Sequence, residues 1–479
     1  MKHIGDALKL WSILGRVIGC LPSGPMSPPI KTLPCFGARN TSKSASSTTN
    51  TALKNDELLL EAYAGNLRRL KELARELDDG KGMAKTIAGV KDSRGITAIH
   101  LAAIKGNLNV IKYLIGELKL DVNVQETQHG RTPLQCAIIQ SQLSIAFYLL
   151  KRGADPGIVD ETGHTALHYA AEIGDMSLLR LLLSRGGTVD AISSKGTPLE
   201  KAALSGKHEA VELLLQHRAN PNLTYRDVCS PLLASILANS MRCMQLLLKA
   251  GADPNYCGFG PTPLELVALE GQADMVLPLL KAGADPNITN EEGLKPIEVA
   301  AVTGYNRVVE ILLPKTEPVS VYSKWSVGGI MQHVHSKEAK AQRVIIQDVK
   351  FGEAKLRGDK AFREKDYTSA TYFYSKAISG DPDNVILHSN RSLCYLRLKD
   401  GRAALQDAMR CVMLRTDWPK SFYRLGSAFH LLQDYEHATE AFLDGLKFDP
   451  ENQELKKAYQ EAVEAKSKTS GLFSNFNRV

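Results

Sequence analysis

The sequence predicts an all-α protein made of two helical solenoids in tandem. Two internal periods predict it, one of about 33 residues and one of about 34 residues. At both, small residues and prolines recur at fixed places and punctuate the helices. The chain has 479 residues, 44% hydrophobic and 23% charged, enough for two or three ordinary domains.

Residues 1–54 stand outside both periods. "MKHIGDALKLWSILGRVIGC" reads as an amphipathic helix. Ile4, Leu8, Trp11, Leu14, Val17 and Ile18 share one side, and Lys2, Lys9 and Arg16 take the other. A Pro-rich run and a Ser/Thr-rich run follow. The whole segment is basic and carries Asp6 as its single acid, a balance of +6 against +7 for the full chain. That is the composition of an organelle transit peptide, and a disordered extension is the alternative.

The first period opens after a short cap pair, "AYAGNLRRLKELA" at 62–74, and runs to 313. Seven elbows start at Thr97, Thr132, Thr165, Thr197, Ser230, Thr262 and Lys295, most of them reading Thr or Ser, then Pro or Ala, then Leu. Thr and Ser are good N-caps and Pro suits the first helical position. About nine positions on, the first helix of each pair should break, at Gly106, Ser141, Gly174, Gly206, Asn239, Gly271 and Gly304. Three second helices end in "GADP", starting at Gly153, Gly251 and Gly283, where glycine permits a left-handed cap and proline stops the helix. The pattern resembles ankyrin repeats over 55–313: helix, turn, helix and a hairpin finger.

Residues 314–350 read as a linker that ends in a helix, "SKEAKAQRVIIQDVK". The second period begins at Phe351. Gly358, Ser392 and Gly426 lie one period apart, as do Ala370, Ala404 and Ala438. This resembles the tetratricopeptide pattern in three copies. A solubilising cap helix, "ENQELKKAYQEAVEAK", completes a domain over 351–467, with a flexible tail over 468–479.

The composition narrows the functional classes. Outside the leader the chain carries only +1, which argues against a nucleic-acid binder. Eight scattered cysteines, without a C-x-x-C pair or zinc spacing, fit a reducing compartment and a cytoplasmic location, with organelle targeting through the leader as the alternative. A membrane span needs an uncharged run of about 18 residues or more, and the chain has none, so no span is expected. Phosphate-loop, dinucleotide, zincin, nucleophile-elbow and EF-hand motifs are missing. Neither catalysis nor a cofactor nor a metal site is expected. His100 and His168 hold the fourth place of their elbows and read as structural.

What remains is binding. Lys420 and Arg424 are four apart on one predicted helix, a spacing at which like charges cost roughly 0.2–0.5 kcal/mol. In the register of the second period they are the second and sixth residues of motif three. Lys355 is fifth in motif one and Asn390 sixth in motif two, and first helices line the groove of such arrays. Three cations and an amide facing one groove suit a peptide C-terminus. Here the array resembles the chaperone-binding tetratricopeptide domains of co-chaperones. The resemblance implies capture of the acidic Glu-Glu-Val-Asp tails of heat-shock chaperones of the seventy- and ninety-kilodalton families. It matches four clamp positions, Lys355, Asn390, Lys420 and Arg424. The fifth is Asp359 where the family has Asn, which leaves the clamp at +2 and sets Asp359 to pair with Lys355.

The two arrays together, through "ELARELDDGKG", "EEGLKPIEVAA" and "SNRSLCYLRL", resemble plant ankyrin–tetratricopeptide proteins. This implies an adaptor whose ankyrin surface takes an unidentified protein. His129, His164, Tyr225, Arg226 and Phe259 fall at the finger tips as anchor residues, against the alternative of ordinary loop variation. A scaffold that binds no chaperone and an organelle-targeting factor are the competing roles.

Overall fold

A computed structural model describes residues 47–92, 94–225, 229–258 and 260–474. Among these, all regular structure is helical, with two isolated bridges, Lys91 to Thr97 and Ser193 to Gly196. Helices α1 (Ser47–Ala64), α2 (Leu67–Leu77) and α3 (Met83–Gly89) come first. Seven pairs follow: α4 (Ala98–Lys105) with α5 (Leu108–Ile111, continued as a π-helix over Lys112–Glu117), α6 (Pro133–Ile139) with α7 (Leu143–Lys151), α8 (Ala166–Ile173) with α9 (Met176–Ser184), α10 (Pro198–Leu204) with α11 (His208–Gln216), α12 (Pro231–Leu237) with α13 (Met241–Lys249), α14 (Pro263–Glu270) with α15 (Ala273–Lys281), and α16 (Pro296–Thr303) with α17 (Asn306–Leu312). The chain then forms α18 (Val327–Val334), α19 (Lys337–Arg363), α20 (Tyr367–Gly380), α21 (Val385–Arg397), α22 (Gly401–Leu414), α23 (Pro419–Leu431), α24 (Tyr435–Phe448) and α25 (Gln453–Ser474).

The described chain divides into two compact units. One runs to Val267 and takes in Asp274–Asp285; the other takes in Ala268–Ala273 and everything from Pro286 onward.

The predicted punctuation carries the seven helix pairs. Thr132, Thr197, Ser230 and Thr262 each accept a hydrogen bond from the backbone N–H three residues on, at 3.2–3.3 Å. All seven predicted breaks have positive φ, including Ser141 (56°) and Asn239 (50°), where the turn imposes the left-handed conformation on residues with a Cβ. Leucines of the second helices, such as Leu178, Leu179 and Leu182, are buried. An asparagine ladder, which the repeat pattern does not announce, joins successive fingers. Asn222 Oδ1 accepts from Asp253 N at 2.8 Å and its Nδ2 donates to Gly251 O; Asn255 repeats this with Asp285 and Gly283.

In the second unit, residues 314–336 are folded onto the α16–α17 pair. The Tyr322 hydroxyl donates to Glu298 Oε1 at 2.5 Å, and Trp325 and His333 meet the Tyr322 ring edge-on. Ser326 caps α18, whose Ile330 and Val334 are buried. Ser336 caps α19, a single helix that passes position 350 without a break.

Three helix pairs and a terminal helix follow. Their A–B turns are built alike. Lys365, Lys399 and Gln433, one period apart, have φ of 62°, 59° and 61°. The aspartate after each, Asp366, Asp400 or Asp434, caps the next helix through the N–H three residues on. The regularly spaced small residues let the paired helices close. A Cβ on Gly358 would lie 2.9 Å from the Tyr374 ring, and one on Gly426 2.5 Å from Phe442. Helix α25 seals the end, with Leu455 and Ala462 packed on Ala438 and Phe442.

Candidate functional site

The groove residues come from three first helices, α19, α21 and α23, each held by its own B helix. Lys355 on α19 is exposed and makes no ion pair among the described residues. The expected Lys355–Asp359 pair is not formed. Asp359 Oδ1 instead accepts a hydrogen bond from the Tyr374 hydroxyl at 2.6 Å. One helical turn brings Asp359 over α20, where Tyr374 fills the space that Gly358 leaves. Burial first, then Asp359, push the phenol well above its ordinary pKa, while the Asn390 amide acts on it in the opposite sense. Tyr374 therefore links two of the clamp positions.

Asn390 is half-buried on α21. Its neighbour Arg391 anchors that helix. The Arg391 guanidinium donates to both Asp407 oxygens, at 2.7 and 2.6 Å, and to Ser375 Oγ at 2.8 Å. His388 Nδ1 lies 3.0 Å from Asp407 Oδ1. Burial would raise the Asp407 carboxyl, but hydrogen bonds from Arg391 and then His388 hold it below the ordinary value.

Arg424 is different. It is 7% exposed, yet Nε donating to Ser389 O at 3.3 Å is its one hydrogen bond, and no carboxylate pairs with it among the described residues. Its guanidinium lies 5.7 Å from the Tyr423 ring. Burial, first among the causes, lowers its pKa. The hydroxyls of Ser389 and Ser421 beside it are buried without hydrogen-bond partners. Lys420, one turn earlier, is exposed, with its ammonium 5.8 Å from the Trp418 ring. Partial burial of that ammonium and then Arg424 hold its pKa below the ordinary value. The repulsion read from the spacing is thus present, and Arg424 adds to it a buried charge without an ion-pair partner among the described residues, with Glu454 acting on both cations through space.

Of the finger-tip residues, His164 is not exposed. His129 is exposed. His164 is 5% exposed; its Nδ1 lies 2.6 Å from Thr162 Oγ1 and its ring stacks on Tyr169 at 5.3 Å. It belongs to the interior rather than to an exposed tip, because the finger folds its side chain back onto α8. Tyr225 is half-buried, and Arg226 and Phe259 lie outside the described residues. His100 and His168 sit within their capping boxes and reach the next repeat, at Arg131 O (3.1 Å) and Gly196 O (3.2 Å).

These features define a helical-repeat protein. The family described as "Ankyrin repeats" matches residues 58–160, 151–225 and 232–322, and the chain belongs to it. The repeats of the family "Serine/threonine-protein kinase BSK1-like, TPR repeats" match residues 331–425. The "Heat shock protein sti1 homolog" of Schizosaccharomyces pombe is 39% identical over 125 residues, 26% of this chain and 21% of that protein. "Hsp70-Hsp90 organizing protein 3" of Arabidopsis thaliana is 39% identical over 118 residues, 25% of this chain and 21% of that protein. The chain thus spans about a fifth of the length of these relatives. Among solved structures, the human ASB11 ankyrin repeat domain is 25% identical, with a TM-score of 0.43, covering 47% of this chain and 100% of that one. The chain is a repeat-built interaction protein whose tetratricopeptide array is similar to those of Hsp70-Hsp90 organizing proteins.

Proposed function

We propose that the protein is a co-chaperone-like adaptor. The groove of residues 351–467 takes the acidic C-terminal tail of a seventy- or ninety-kilodalton heat-shock chaperone, and the ankyrin array of residues 55–313 takes a second protein. The observation that carries this reading is Arg424, a buried cation with no ion-pair partner among the described residues; the exposed Glu454 carboxylate acts on it only through space. Isolated buried charge is costly, and an arriving carboxylate offsets that cost by a charge-assisted bond. Lys420, Lys355 and the Asn390 amide supply further donors along the same face of the array. The names of the tetratricopeptide relatives support the choice of partner. Linking two such modules raises the effective concentration of one partner near the other. The cytoplasm is the compartment in which these partners and reduced thiols coincide.

Asp359 favours a second reading, in which the groove serves a peptide carrying a cation or lacking a terminal acid. The test is calorimetric titration of the full chain with a Glu-Glu-Val-Asp peptide, as free acid and as C-terminal amide. The clamp predicts at least a tenfold loss on amidation. Equal affinities remove it.

A further inference from the structure

Helix α19 carries an apolar stripe that no described residue covers. Ile345, Val349 and Leu356 are 64%, 56% and 68% exposed, far above the ordinary state of such side chains. With Gln342 and Gly352 they follow the alternating three- and four-residue spacing of a helix–helix seam. The stripe lies on the side of α19 opposite Ala354, Gly358 and Ala361, which are buried against α20. The spacing asks for another helix. Gly352 supports this: it costs about 1 kcal/mol in a helix interior, and nothing lies within 4 Å of where its Cβ would be. A glycine there lets a second backbone come close.

We infer that the helix which covers this stripe is α19 of a second copy, packed antiparallel about a two-fold axis between residues 350 and 351. The charges beside the seam choose this arrangement. Asp348 and Lys355 are both exposed, flank the stripe on one edge, and have no ion-pair partner among the described residues. About that axis Ile345 meets the second copy's Leu356, and Val349 meets its Gly352. Asp348 then meets the second copy's Lys355, twice by symmetry, as an isologous contact requires. A parallel alignment in register instead sets Asp348 against the second copy's Glu353 and Lys355 against its Lys360, like charge against like. The basic leader is a poorer occupant, since Lys2, Lys9 and Arg16 would approach a helix with eight basic and four acidic residues of its own. Lys355 is also a groove residue, so pairing draws one cation away from the groove.

Sedimentation equilibrium of the full chain tests this. The expected result is concentration-dependent self-association toward twice the 52.4 kDa of one chain. Ile345→Glu, on an exposed position, should leave the thermal melt unchanged and weaken association at least tenfold. Asp348→Lys and Lys355→Asp should each do the same, and the double charge reversal should restore it. A monomer at all concentrations overturns the inference, as does a dimer indifferent to Ile345→Glu or unrescued by the double reversal. Association lost in a chain beginning at Thr51 would assign the stripe to the leader and also overturn it.

Discussion

The elbow side chains of the ankyrin repeats and the cations at the predicted clamp positions of the tetratricopeptide array are treated in opposite ways. The Arg391–Asp407–His388 cluster of the second array is satisfied internally, like the elbows. In the ankyrin repeats the polar side chain at the fourth place of the elbow is used internally. His100 and His168 reach a carbonyl of the next repeat, and Gln135 does so twice, at Ile158 O (3.0 Å) and His164 O (2.9 Å). In the tetratricopeptide array, Lys355, Lys420 and Arg424 make no ion pair among the described residues, although Arg424 is buried. Polar groups that are satisfied within the fold hold it together. Cations that the fold leaves without an ion-pair partner are what a ligand can reward.

The largest effect expected from this contrast is at Asp407. Among the described residues it is the one counter-charge of Arg391, so Asp407→Ala leaves a buried cation and should cost about 3–5 kcal/mol, read by urea unfolding. Next is His168→Ala, which leaves buried carbonyl and N–H groups unpaired and should cost about 1–3 kcal/mol. His168→Gln should cost less, because Gln135 already does this task one repeat earlier.

Acidification should separate the units. Burial lowers the pKa of His100, His164 and His168, the last from 6.5 to about 4. A depressed histidine contributes stability above its unfolded pKa and loses it as pH falls toward the folded one. The ankyrin repeats should therefore weaken between about pH 6.5 and 4. Asp407, whose carboxyl is also depressed, keeps its contribution until pH falls below its ordinary value of 3.8. Hydrogen exchange should show α8 losing protection at pH 5 while α21 and α22 retain theirs. Equal loss in both would break the comparison.

A smaller effect is expected at Asp359. Asparagine keeps an oxygen for the Tyr374 hydroxyl and removes a negative charge from the groove. Tail binding should tighten severalfold, about 1 kcal/mol after solvent screening, with the gain shrinking in high salt. Unchanged or weaker binding in titration would favour a partner with a cation. The smallest effect is at the leader. A chain beginning at Thr51 should melt with the full chain, and a shift of several degrees in calorimetry would show the leader docked.

The repeats were legible because their punctuation is local. Each break from Gly106 to Gly304 needs a left-handed residue, and that need is written in residue type or in strict spacing. Helix α18 was not legible. It is short, with two glycines, and it is held by Tyr322 reaching Glu298, a contact distant in sequence. The A–B turns hid for another reason: Lys365, Lys399 and Gln433 are not residues that advertise positive φ, and only their periodic spacing and the following aspartates mark them. At the groove, register located Lys420 and Arg424 on one helix, but it could not tell that one would be exposed and the other buried. Nor could it find Tyr374, which takes the Asp359 carboxylate that one-turn spacing had offered to Lys355.

Arg424 bears the central claim most directly, because stability and binding can be read on one protein. Arg424→Met removes the charge and keeps much of the volume. The variant should unfold at the same denaturant midpoint as the parent, or a higher one, since a buried charge without a partner does not support the fold. Titration with the free-acid peptide should show affinity reduced at least tenfold. A midpoint well below the parent's, with peptide affinity unchanged, would make Arg424 a structural residue and contradict the account.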